Sequence, residues 1–167
     1  KTAVSSLNKL HILPYEHAGE GRDLYTNAYF GSTMEEINKK DYNKAINLIN
    51  TSKEWPEQLG VGKPYNVDER IQDYLLFHCY SKLDNNKAEK YLKKIIEYSR
   101  RNINNQSFSH WLGLKSIKKL EGIEASKKFS IQLLNSSHGS TEETKWIINN
   151  FFNTKSPINK ELNQNFK

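Results

Sequence analysis

A polar corner followed by an alanine, with a bulky apolar residue four positions later, recurs along this chain. It occurs as Leu83-Asp-Asn-Asn-Lys-Ala88-Glu-Lys-Tyr-Leu92, as Leu120-Glu-Gly-Ile-Glu-Ala125-Ser-Lys-Lys-Phe129, and in related form as Asp41-Tyr42-Asn-Lys-Ala45-Ile-Asn-Leu-Ile49. Each stretch reads as the end of one helix, a tight corner and the start of a second, amphipathic helix. Alanine at such a corner lets two antiparallel helices approach closely, and a unit that cannot bury its apolar face alone must stack on neighbours. The expected fold class is therefore all-α, built from helix pairs.

Apolar spacing extends the same reading along the chain. Thr2 to Leu13 carries Val4, Leu7 and Leu10 on one stripe and reads as the last helix of a preceding unit, so the chain is expected to begin partway along a longer protein. Pro14 should end that helix, with a loop from Tyr15 to Gly21. A helix from Arg22 to Lys39 follows, with Leu24, Ala28, Phe30, Met34 and Ile37 as its apolar positions. Asp41 is placed to cap the next helix, and Asn66 or Asp68 a later one through Ile71, Leu75, Leu76 and Cys79. Beyond it come a helix started by Asn85 or Asn86 whose apolar face runs from Ala88 to Tyr98, then Phe108 to Leu120, and a segment carrying Ala125, Phe129, Leu133 and Leu134. Ser140-Thr-Glu-Glu143 has the form of a capping box before Trp146, Ile147, Phe151 and Phe152. In all, about eight helices form a single helical domain over residues 1–153, and residues 154–167 form a weakly ordered tail.

Bulk composition excludes several classes. Of 167 residues, 36% are hydrophobic and 26% charged, which suits a folded protein rather than a disordered one. No apolar run approaches the roughly 20 residues that span a bilayer, and no signal-peptide core is visible, so no membrane association is expected. Compartment is left open, with periplasm or export admitted if an upstream signal was removed. Residues 84–130 hold 11 of the 25 basic residues and 5 of the 19 acidic ones, and so match the whole net charge of +6. A basic stripe attracts phosphate or acidic peptides. Lys87, Lys90, Lys93 and Lys94 also sit where a solvated helix face would put them, and nucleic acid is not the expected partner.

Lys40-Asp41-Tyr42 with Ala45 and Ile49 resembles the corner of tetratricopeptide repeats, whose second helix opens Gly-Asp-Tyr; glycine is missing here. That resemblance implies a right-handed superhelix of stacked antiparallel helix pairs, divergent in spacing, which acts as a non-enzymatic scaffold for protein or interdomain contacts. A narrower resemblance lies in Ile12-Leu-Pro-Tyr-Glu16, Gly21-Arg-Asp-Leu-Tyr25, Glu54-Trp-Pro-Glu-Gln-Leu-Gly-Val-Gly-Lys-Pro-Tyr65 and Asp68-Glu-Arg70. It is similar to the C-terminal helical region of large bacterial proteins of unknown function with an N-terminal mutarotase-like β-sandwich. This second likeness implies an alternative role, an accessory helical domain of a carbohydrate-active protein. It marks Trp55, Pro56, Gly60, Gly62, Pro64 and Tyr65 as a family-like loop, which Trp55, Leu59, Val61 and Tyr65 are placed to pin.

No chemistry-bearing motif accompanies these features. Gly60-Val-Gly62-Lys63-Pro64 lacks the glycine spacing and the hydroxyl of a phosphate loop. Glu16, His17, Glu20, and His78 beside Cys79, do not have metal-ligand spacing, and Cys79 reads as a small buried hydrophobe. No catalytic residue, metal or cofactor is assigned. Stacked pairs would create a groove along their first helices, and Tyr29, Tyr74, His78, Lys82, Trp111, Lys115 and Lys118 approach it. Rings mixed with cations suit an acidic or aromatic-bearing peptide, or a sugar that stacks on rings; the plainer alternative is core aromatics beside solvated lysines.

Overall fold

A computed structural model of the chain describes residues 2–9, 11, 19–83 and 85–153. Among the described residues there are eight α-helices and no strand. They are α1 (Thr2–Leu7), α2 (Gly19–Asn38), α3 (Tyr42–Ser52), α4 (Arg70–Leu83), α5 (Asn85–Arg101), α6 (His110–Glu121), α7 (Ile123–Leu134) and α8 (Glu142–Phe152), with a 3-10 turn at Glu57–Leu59. The chain divides into two compact units whose boundary falls between Ala88 and Glu89, inside α5. The expected tail and the candidate ligands Glu16 and His17 lie outside the described residues.

In the first unit α3 packs against both α2 and α4. The corner between α2 and α3 shows how it manages without glycine. Lys40 N–H donates to the Ile37 carbonyl and Asp41 N–H to the Glu36 carbonyl, each at 2.9 Å. This paired closure is a Schellman motif, and it needs a left-handed residue at the position Lys40 occupies. Lys40 takes that conformation, with φ 62°. Asp41 then caps α3 as expected, its carboxylate accepting from Lys44 N–H at 3.1 Å. A side chain in this region costs about 1 kcal/mol relative to glycine. Lys40→Gly should therefore raise stability by about that amount, read as a higher urea midpoint at unchanged slope; a lower midpoint would mean that the lysine side chain stabilises the corner.

Two expectations for α2 are corrected. It starts at Gly19, so residues 19–21 are helical rather than loop, and its buried stripe is Arg22, Tyr25, Tyr29, Thr33, Glu36 and Ile37. Leu24 is largely exposed. Large polar side chains hold the core-facing positions at both ends of this stripe, so apolar spacing alone points to the wrong face. Glu36 is held by Lys39 and Lys44, each at 3.1 Å.

The second unit centres on Ile96, Trp111, Leu114, Ile117, Phe129, Leu133, Ile147 and Phe151. Gly113 of α6 lies so close to Ser99 of α5 that an added Cβ would fall 2.8 Å from the serine Cβ. In α7 the fully buried small residue is Ser126, one position beyond the expected Ala125, which is only partly buried. The α8 cap also lies one residue later than the box: Thr141, not Ser140, accepts from Thr144 N–H. Glu143 is thereby released from a capping role and accepts from Gln106 at 2.6 Å.

Candidate functional site

Three of the expected groove residues, Trp111, Lys115 and Lys118, fall at helical spacing on one face of α6, and Trp111 and Lys118 meet α8. Trp111 is nearly buried; its ring lies 5.5 Å from Phe151, edge to face, and 6.4 Å from Trp146. Trp146 in turn meets Phe108 edge to face at 5.9 Å. Lys118 holds its ammonium 5.6 Å over the Phe151 ring, a cation–π placement. Contacts advance in step from Phe108 and Trp146 to Lys118 and Phe151, so α6 and α8 run in the same sense. A row of rings thus ends in lysines.

The rings at the other end of the row face water: Phe108 is 64% exposed and Trp146 41%. Neither is among the groove residues expected from sequence. Trp146 reads there as a core position of its helix, and Phe108 as the first apolar residue after the polar stretch 102–107. An aromatic directly after a polar break, at the very start of the periodic stripe, is the signal that marks it. Lys115 is half-buried, and burial followed by the nearby Lys118 lowers its pKa.

The remaining groove residues, Tyr29, Tyr74, His78 and Lys82, belong to the first unit. Tyr29 is a core residue packed with Tyr25 and Leu59, its ring 4.6 Å from Tyr25. His78 is buried with its ring edge toward Tyr42 at 6.3 Å. Burial first, then Lys82, depresses its pKa and favours the neutral ring. Tyr74 stacks obliquely on Phe77 at 5.8 Å, and Lys82 is exposed. Cys79 is fully buried, its thiol pushed up to about 11 by burial, which suits a packing role.

The family-like loop is pinned by part of the expected set. Leu59 is fully buried, Trp55 stacks on the Arg22 guanidinium at 4.5 Å, and Gly60 caps the 3-10 turn in the left-handed region at φ 70°. Tyr65 is fully exposed and pins nothing, and Gly62 and Pro64 are exposed too. Ion pairs take over at the end of the loop. Lys53 bridges Asp73 at 2.5 Å and Glu69 at 3.1 Å, and Lys63 also reaches Glu69 at 3.1 Å. Burial alone would raise the Glu69 pKa, but the two lysines outweigh it and hold the carboxyl below its ordinary value.

An open groove of about 840 Å³ between α5 and the end of α6 is walled by charges already matched in pairs, Glu89 with Lys93 at 2.7 Å and Arg100 with Glu121 at 2.6 Å. Among the described residues no group of three His, Cys, Asp or Glu side chains is placed to hold a metal ion. No described helix is long and apolar enough to cross a membrane. No protein-family description, curated protein or solved structure matches the chain.

Proposed function

We propose that the chain is a non-enzymatic scaffold of tetratricopeptide-like helix pairs that holds a protein or peptide segment, in another chain or elsewhere in its own polypeptide. The observation that carries this reading is the ring row of α6 and α8, open to water at Phe108 and Trp146 and ending in lysines. Solvent-facing tryptophan and phenylalanine side by side give an anchor pocket for an apolar or aromatic side chain. Lys115 and Lys118 give complementarity to carboxylates nearby. The corner at Lys40 supports the repeat reading because it keeps the backbone shape of the missing glycine.

The same exposed rings favour the second reading, an accessory domain that stacks on sugar. Salt and charge separate the two. A peptide of acidic residues around one phenylalanine should bind the intact chain more weakly as salt rises. Trp146→Ala and Lys118→Glu should each weaken that binding about tenfold, measured by fluorescence anisotropy of the labelled peptide. Binding of a soluble glucan that is lost in Trp146→Ala but indifferent to salt and to Lys118→Glu would select the carbohydrate reading. If neither probe binds, both readings of this face fail.

A further inference from the structure

Arg22 stands in the first turn of α2 and is almost completely buried, 6% exposed. A cation there sits at the positive end of the helix dipole, an unfavourable place for it. Its guanidinium lies between two rings, 4.5 Å from the Trp55 centroid and 5.4 Å from that of Tyr25. One terminal nitrogen donates to the Ser52 carbonyl at 2.6 Å and the other to the Thr26 hydroxyl. Among the described residues no carboxylate is within ion-pair distance; Asp23 and Glu69 act on it only at long range. Buried charges are ordinarily matched by an opposite charge in contact, and among the described residues this one has none.

Two donors around this cation are also unmet. Arg22 Nε and Trp55 Nε1 are both buried without a hydrogen-bond partner. They belong to two stacked side chains, and they come from the two sequence stretches, Gly21 to Tyr25 and Glu54 to Tyr65, that the sequence singles out and the ring row on α6 and α8 does not use. Trp55 as a residue is only partly buried, so the cluster is not sealed in the core. We propose that Arg22 and Trp55 form a receptor for a small oxyanion of carboxylate or phosphate type, its oxygen accepting from Arg22 Nε and Trp55 Nε1 while its charge neutralises the guanidinium. A neutral water would satisfy the donors but leave the charge unmatched. An oxyanion does both, because charge-assisted hydrogen bonds are the stronger kind.

The site lies in the first unit and does not depend on the ring row of α6 and α8. Its test is the indole N–H resonance of Trp55 in the full chain, assigned by its loss in Trp55→Phe. The probes are sodium acetate and sodium phosphate, titrated against sodium chloride at matched ionic strength. The Trp55 signal should move saturably with acetate or phosphate, while the Trp111 and Trp146 signals stay in place. Arg22→Gln should weaken the response at least about tenfold, and Arg22→Lys, which keeps a charge but loses the planar fork, by less. Should Arg22→Gln not fold, Trp55→Phe followed through the backbone amides of residues 53–69 should show weakened anion binding with the ring retained. The proposal is overturned if the Trp55 signal does not saturate, if all three indoles move together, or if the folded Arg22 and Trp55 variants respond like the unaltered chain.

Discussion

Gly139→Ala should be among the most damaging single substitutions in the chain, costing about 3 kcal/mol or more. Gly139 is buried in the turn between α7 and α8, where its N–H donates to the Ser136 carbonyl at 3.0 Å. A Cβ at this position would fall 1.8 Å from the Leu134 carbonyl oxygen and 2.3 Å from its carbon. Those are backbone atoms at the end of a helix, so no rotamer change relieves the overlap. The turn itself must move, and the next turn cannot follow freely: the Thr141 and Thr144 hydroxyls both donate to the His138 carbonyl, at 2.7 Å and 2.9 Å. Circular dichroism should show the melting temperature falling by roughly 6–12 °C for a chain of this length. The control is Gly31→Ala on the exposed side of α2, where a Cβ meets nothing; there the substitution should stabilise by up to about 1 kcal/mol. If the two variants melt alike, Gly139 is not a close-approach position.

What the sequence makes legible here is local. Helix existence follows from apolar spacing, and Asp41 capping α3 follows from side-chain chemistry that acts over three residues. The face of α2 is not legible, because Arg22 and Glu36 enter the buried stripe with partners that lie partly outside the helix, Ser52 for the first and Lys44 for the second. Likewise nothing local to Tyr65 separates a pinning tyrosine from a solvent-facing one. Trp55 and Leu59 already hold the loop, and the ion pairs of Lys53 and Lys63 close its end. In the candidate site, the α6 lysines are legible because they share one helix face with Trp111. Phe108 and Trp146 gain meaning only through a contact across 38 positions of chain that no periodicity encodes.

Asp68→Ala should cost about 2–3 kcal/mol, more than replacing its partner. Arg70 is only 1% exposed, and its side chain grips Asp68 with two parallel bonds, Nε to Oδ1 at 2.9 Å and Nη2 to Oδ2 at 2.7 Å. The same carboxylate accepts from Arg70 N–H at 3.1 Å and so closes the start of α4. Removing Asp68 leaves a guanidinium in the interior with its forked carboxylate gone, the costly way to break a buried pair. The reverse change is gentler. Arg70→Met leaves a carboxylate whose side chain is 30% exposed and can recover water, while methionine fills much of the vacated space. In the double variant Asp68→Ala/Arg70→Met the buried guanidinium is gone together with its carboxylate, so its stability should lie within about 1 kcal/mol of Arg70→Met alone. Urea unfolding at neutral pH, with slopes unchanged across the four proteins, measures the cycle. If the two single losses simply add, the pair is not coupled, and the first turn of α4 is held by the helix and the packing around it rather than by this ion pair.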